Sequence, residues 1–147
     1  MKQCFLVIAA LAAMWSVLAS AEQSRNFGEY TIHYSAFTTD QLTPEVAKQY
    51  QIPRSKNRVM VNISVLKKNR KNALGTPVRA KITGEAKNLS EQLRELQLRE
   101  VIEENAIYYI GETQVNNEET LRYSFTITPA GETAPYQLSF QEQFFTD

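Results

Sequence analysis

The strongest strand signal of the chain lies in Arg54-Ser55-Lys56-Asn57-Arg58-Val59-Met60-Val61-Asn62-Ile63-Ser64-Val65-Leu66. From Val59 onward a β-branched residue occupies every second position, and this period of two predicts a strand with one apolar face. Met60 and Leu66 add apolar side chains to the opposite face, so the strand is expected to be covered on both sides. We therefore predict a central strand over Arg58 to Leu66, preceded by a basic and polar segment.

The same alternation recurs on both sides of the central strand, and turns that contain Gly, Asn or Pro separate the runs. The pattern indicates about seven strands, and Thr43 before Pro44 marks the start of one short helix near residues 43–50. Such a series predicts an all-β fold, an antiparallel β-sandwich that is immunoglobulin-like in outline. A closed barrel is the alternative architecture for the same pattern.

Residues 88–101 fit two structures, because their leucines have helical spacing at first and strand spacing later. We favour a turn or short helical segment near Ser90 to Leu93, followed by a strand from Glu95 to Glu103. Residues 67–76 are polar and contain Asn and Gly, which predicts a connection. Gly84 is expected to weaken or bend the strand that contains Ile82.

The N-terminus has the pattern of a signal peptide. Met1-Lys2-Gln3 is positively charged, Cys4 to Ala19 is almost continuously apolar, and Ala19-Ser20-Ala21 has the small residues of a cleavage site. We predict cleavage after Ala21, so that residues 1–21 are the signal peptide and residues 22–147 form a single β-sandwich domain. An uncleaved N-terminal anchor is the alternative, although the apolar run is short for a membrane span.

Composition limits the function classes. The chain has 16 Lys and Arg against 16 Asp and Glu, so neither nucleic acid nor an anionic membrane is indicated as a partner. Cys4 is the only cysteine and lies in the predicted signal peptide. The mature domain is therefore expected to form no disulfide and to depend on its hydrophobic core.

A basic cluster before the central strand is the main candidate for binding. Arg54, Lys56 and Arg58 alternate with polar residues, so an extended chain would place the three cations on one side, where they suit an anionic ligand. The alternative is a solvated approach to the sheet, or pairing with nearby acids. Tyr108 and Tyr109 are adjacent and face opposite sides of a strand, so one of them, Tyr108 in our prediction, could contact a partner.

His33 is the only histidine, so a Ser–His pair or most zinc sites would have to use it. Alternation places it on the side of Thr31, away from Tyr30, which favours a surface histidine without a chemical role. We predict no metal, no cofactor and no catalytic residue. The acidic pairs Glu103-Glu104 and Glu118-Glu119 lack the spacing of a calcium loop and are interpreted as solvated turns.

Segments along the whole predicted domain resemble a known family. They are Phe27-Gly28-Glu29-Tyr30-Thr31-Ile32-His33-Tyr34, Leu42-Thr43-Pro44-Glu45-Val46-Ala47, Arg54-Ser55-Lys56-Asn57-Arg58, Val61-Asn62-Ile63-Ser64-Val65-Leu66, Ala106-Ile107-Tyr108-Tyr109 and Asn117-Glu118-Glu119-Thr120-Leu121-Arg122. These residues resemble the bacterial family numbered 4426 among domains of unknown function. The resemblance implies a small exported protein of a Gram-negative bacterium, located in the periplasm, with a β-sandwich-like fold. It implies no activity and brings no catalytic residues.

The first functional hypothesis is a periplasmic, non-catalytic interaction or accessory module. Its exposed strand edges would bind a protein partner or a second copy of the chain. The alternative is a binding domain for a small or polymeric anionic ligand that uses Arg54, Lys56, Arg58 and a nearby tyrosine. An enzyme is not favoured, because the sequence contains no combination of nucleophile, base and metal ligands. No membrane anchor is expected after signal cleavage.

Overall fold

The computed structural model describes residues 22–147, so the predicted signal peptide and its cleavage site lie outside the described residues. The described chain consists of antiparallel strands with one short helix and one 3-10 turn. The elements are β1 (Gln23–Phe27), β2 (Tyr30–Thr38), the 3-10 turn (Thr39–Gln41), α1 (Pro44–Gln49), β3 (Arg58–Asn69), β4 (Asn72–Pro77), β5 (Ala80–Asn88), β6 (Leu93–Leu96), β7 (Arg99–Ile102), β8 (Ile107–Gln114), β9 (Glu119–Pro129) and β10 (Tyr136–Phe144).

The strands form two sheets. The large sheet has the order β1-β2-β3-β8-β7, and β4 pairs with the C-terminal part of β3. The small sheet has the order β10-β9-β5-β6. The prediction of an all-β antiparallel sandwich is confirmed, and the closed barrel is excluded because the two sheets stay separate. The immunoglobulin-like outline stays a prediction.

The core lies between the sheets and follows the predicted alternation. On β3, the inward residues Val59, Val61, Ile63 and Val65 are fully buried. The small sheet contributes the facing layer, whose largest fully buried members are Leu121, Tyr123, Phe125, Ile127 and Leu138. Long β3 therefore forms the centre of the large sheet, as its β-branched run predicts.

Gly84 makes room for an aromatic ring. It is the cross-strand partner of Phe125, and a Cβ atom at Gly84 would lie only 2.3 Å from Cδ1 of that ring. The phenyl ring thus occupies the space above the glycine backbone, an arrangement that compensates for the missing side chain. The strand continues through Gly84 without a break in register.

The outer face of β3 is also covered at its N-terminal half. Met60 is buried with Ile52 and Ile110 in a second hydrophobic cluster, which lies outside the main core. The segment that contains α1 supplies much of this cover, and α1 begins as predicted with Thr43 accepting a hydrogen bond from the Val46 N–H. The prediction of cover on both faces of the central strand is confirmed there.

The predicted single strand from Glu95 to Glu103 is wrong. Strand β6 belongs to the small sheet and β7 to the large sheet, and the chain crosses between them at Gln97 and Leu98. Leu98 packs against the main core and passes over Gly111, where a Cβ atom would lie 2.7 Å from Leu98 Cδ2. One alternating stretch of sequence therefore contributes a strand to each of the two sheets.

The prediction of about seven strands is too low, because residues 22–147 alone form ten strands. Strand β1 precedes the first predicted run, and β4 lies within the predicted connection of residues 67–76. Both are edge strands whose residues are mostly exposed, so they lack the apolar alternation that reveals a strand.

In the part of the chain that the structure describes, no helix is long and apolar enough to cross a membrane.

Candidate functional site

The predicted basic cluster is used within the fold at two of its three positions. Arg54 donates from Nε to the Leu42 carbonyl at 2.7 Å and from Nη2 to the Asp40 carbonyl at 2.9 Å. Its guanidinium thereby ties the segment before β3 to the 3-10 turn. Lys56 lies in an exposed turn, so the chain here is not the extended strand that would align the three cations.

Arg58 and Tyr108 lie on the outer face of the large sheet. Arg58 Nη1 lies 3.4 Å from Glu112 Oε1, which faces it from the neighbouring strand β8. Tyr108 is half-buried and packs against the second hydrophobic cluster with Met60 and Ile110. Arg54 and Arg58 thus have polar partners within the chain and Tyr108 has a packing role, and the anionic ligand site stays a prediction.

His33 has neighbours that its sequence position does not reveal. Its Nδ1 lies 2.8 Å from Glu22 Oε1, and the strand register places Ser64 directly opposite it. A serine, a histidine and a carboxylate thus share one face, as in acyl-transfer sites. Among residues 22–147, however, no hydrogen bond joins Ser64 to the imidazole, and the paired strands use their backbone N–H groups in the ladder. The three side chains therefore lack the serine–histidine hydrogen bond that acyl transfer uses.

Metal binding has no support in the side-chain geometry. Among the described residues, no three His, Cys, Asp or Glu side chains are grouped so that they could hold a metal ion. Two acids, Glu100 and Glu119, are instead paired with arginine, tyrosine or asparagine in two polar clusters.

One such polar cluster joins the two sheets at one end of the sandwich. Arg79 forms a two-point ion pair with Glu100, with Nη2 to Oε1 at 2.8 Å and Nε to Oε2 at 3.1 Å. Tyr109 Oη donates to Glu100 at 2.7 Å and accepts the Ala80 N–H at 2.8 Å. The hydrogen bonds from Arg79 and Tyr109 hold the pKa of Glu100 below its ordinary value. The shallow depression beside it, about 420 Å³, is open and is bordered by Lys81.

A second cluster connects β5, β6 and β9 at the other end. Arg94 Nη2 lies 2.7 Å from Glu119 Oε1, and Glu119 also accepts the Asn116 N–H at 2.8 Å and Asn88 Nδ2 at 3.1 Å. Burial by itself would raise the pKa of Glu119. The hydrogen bonds from Asn116, Asn88 and Arg94 outweigh burial and place the pKa below its ordinary value. In both clusters the charges are satisfied within the chain, which indicates a structural role.

Two buried tyrosines give opposite predictions. Tyr109→Phe is expected to lower the free energy of unfolding by about 1–3 kcal/mol, because the Ala80 N–H and Glu100 lose a partner. Tyr123 has a buried hydroxyl without a hydrogen-bond partner among the described residues, so Tyr123→Phe is expected to leave stability unchanged or raise it by about 1 kcal/mol. Urea unfolding of both variants measures the difference, and equal losses would contradict it.

The outstanding feature of the surface is the free edge of β10. This edge strand has nine residues, Glu142 is its only charged one, and its outward side chains are exposed. The other edge strands are shorter, with five, six, four and four residues for β1, β4, β6 and β7. They also carry charges or turn residues, which are Arg25 in β1, Gly75 and Pro77 in β4, Arg94 and Glu95 in β6, and Arg99 and Glu100 in β7. Sequence alternation identified β10 as a strand but not as an edge.

Comparison with known proteins identifies the family and the fold. Among solved structures, a DUF4426 family protein from Pseudomonas aeruginosa is 32% identical, with a TM-score of 0.73, and the match covers 86% of this chain and 97% of that chain. FetP of uropathogenic Escherichia coli strain F11 is similar in fold only, at 12% identity and a TM-score of 0.57, over 85% of this chain and 94% of that chain. A copper-bound variant of FetP is 11% identical with a TM-score of 0.60, over 86% and 97% of the two chains.

The comparison with curated proteins found no match. The family model described as "Domain of unknown function (DUF4426)" matches residues 24–147, which is almost the whole described chain. The chain therefore belongs to the DUF4426 family.

Proposed function

We propose that this protein is an exported, non-catalytic interaction module that binds its partner by strand addition along β10. The observation that carries the proposal is the long, nearly uncharged free edge of this strand. Unpaired backbone N–H and C=O groups along an edge strand are a template for one more strand. The chain protects its other edges by shortness, charge, Gly or Pro, and leaves this edge open.

The edge is held rigid from behind, which favours binding. Leu138 and Phe144 point into the core and are buried. Phe140 packs on Tyr34 of the large sheet with ring centroids 4.5 Å apart, and Tyr136 packs on Phe27 at 5.3 Å. A strand fixed in this way loses little conformational freedom when a partner strand pairs with it.

Two observations support export to the periplasm. The first is the signal peptide pattern of residues 1–21 in the sequence. The second is that FetP, which has a similar fold, was recombinantly expressed in the periplasm of Escherichia coli. The absence of catalysis is supported by the polar clusters, whose acids are committed to arginine, tyrosine and asparagine partners inside the chain.

The proposal is tested by comparing two double variants. Ser139→Lys with Gln141→Lys adds two cations to the free edge, and added lysines are a common natural protection of strand edges. Thr83→Lys with Ser124→Lys adds the same charge to exposed positions on the interior strands of the same sheet. Affinity-tagged proteins are cross-linked in periplasmic extract, and the recovered chains are identified by mass spectrometry.

We expect the parent and the Thr83/Ser124 variant to recover the same chains, including untagged copies of the protein itself. The Ser139/Gln141 variant is expected to lose them. If all three proteins recover the same set, or if none recovers any protein above a control domain, strand addition at β10 is refuted. Circular dichroism confirms that each variant is folded.

A further inference from the structure

We infer that the strand which pairs with β10 is β10 of a second copy of this chain, so that the protein forms a twofold dimer with a continuous sheet. The inference rests on the proposed function and names the occupant of the same edge. Its basis is the self-complementarity of the strand, in register, in charge and at its C-terminal end.

The register follows from the faces of the strand. Tyr136, Leu138, Phe140 and Phe144 face the core side, and the odd-numbered residues between them face solvent. Residues opposite each other in an antiparallel pair have side chains on the same face of the sheet. A core-facing residue of one copy must therefore lie opposite a core-facing residue of the other, and a solvent-facing residue opposite a solvent-facing one. A twofold axis through Phe140 satisfies this condition and pairs all nine residues of both strands. In this register Ser139 lies opposite the partner's Gln141.

The charges permit this pairing. Glu142 lies opposite the partner's Leu138, so the only charged residue of the strand does not meet its own copy. The solvent-facing row is neutral throughout, and its members can hydrogen-bond across the axis; they are Gln137, Ser139, Gln141 and Gln143. Residues 22–147 carry 15 Lys and Arg against 16 Asp and Glu, a formal net charge of −1, so two copies repel each other little.

The residues that flank β10 favour a second copy of this chain, and not an unrelated protein, as the binding partner. Phe145 follows β10 and leaves 64% of its surface exposed. When the same register is continued by one residue, Phe145 lies opposite the partner's Pro135, which is also exposed. An exposed aromatic residue at one end of β10 thus meets an apolar residue at the other end of the same strand, and the twofold axis repeats the contact.

Sedimentation equilibrium of the protein, expressed from its full sequence, tests the inference. We expect the parent to have twice the mass of one chain. Ser139→Lys with Gln141→Lys places like charges opposite each other at two symmetric positions, and the dimer dissociation constant is expected to rise about tenfold or more. Ser139→Lys with Gln141→Glu places opposite charges there and is expected to remain dimeric. The Thr83/Ser124 lysine variant is the control and is also expected to remain dimeric.

A monomeric parent overturns the inference. So does equal weakening of both Ser139/Gln141 variants, which refutes the register, and so does a dimer that neither variant affects, which places the contact elsewhere. If the parent is monomeric but loses a captured periplasmic protein on addition of the two lysines, strand addition stands and only its occupant is different. If the parent is monomeric and captures nothing, both proposals fail.

Discussion

Phe125→Ala is expected to lower the free energy of unfolding by about 3–5 kcal/mol. Phe125 is 1% exposed and lies between the sheets, with Tyr123 and Phe140 stacked beside it. Its removal opens a cavity, and it also uncovers Gly84, which has no side chain to fill the space. Strand β9 is hydrogen-bonded to β5 on one side and to β10 on the other. Because these strands cannot move freely, the surrounding structure can fill the cavity only in part.

Urea unfolding monitored by far-ultraviolet circular dichroism measures this loss. Phe125→Leu keeps most of the buried volume and is expected to lose less than half as much. Leu74→Ala is the exposed control, since Leu74 is 80% exposed, and a change within about 0.5 kcal/mol is expected. A midpoint for Phe125→Ala equal to that of the parent would show that the ring does not belong to the core.

Arg94→Met is expected to lower the free energy of unfolding by about 2–4 kcal/mol at pH 7. The variant keeps the length of the side chain but leaves the Glu119 carboxylate, only 10% exposed, without its cation. It also removes the hydrogen bond from Arg94 to the Gln114 carbonyl, which connects the small sheet to the end of β8. Arg122→Met breaks the surface pair with Glu91 and serves as the matched control, with an expected loss below about 1 kcal/mol.

The pH dependence of stability gives an independent test of the same cluster. The pKa of Glu119 is lower in the folded chain than in the unfolded chain, so its contribution is present above the unfolded pKa of about 4.3. That contribution is lost as the pH falls through the lowered folded pKa. Arg94→Met should therefore differ most from the parent above about pH 5 and least in acid. A difference that stays constant from neutral to acidic pH would contradict the ion pair.

Prediction from sequence was accurate for properties that depend on a residue and its neighbours in the chain. The alternation in β3, β9 and β10 identified the strands and their buried faces, because one buried face requires one apolar residue in two. The cap at Thr43 identified the helix for a similarly local reason. The outward position of His33 followed from the same alternation.

Prediction failed where the answer depended on pairing. Residues 95–103 alternate like one strand, yet they divide between two sheets, and nothing in their spacing marks the crossing. The partners of Arg54 and Arg58 could not be named from the sequence. They are the carbonyls of Asp40 and Leu42 and the carboxylate of Glu112, which come from distant segments. The approach of Glu22 and Ser64 to His33 also depends on strand register.

The order of the residues was enough to predict that this chain is all-β, which residues of its main strands face the core and where its short helix begins. These properties depend on burial and on local backbone preference, and the pattern of residue types along the chain indicates both. The packing of the whole domain was needed to show that β10 is a free edge, that Gly84 lies beneath Phe125 and that Arg54 and Arg58 have partners within the chain. Hydrogen bonds between strands join residues far apart in the chain, so their partners are set by the packing of the whole domain.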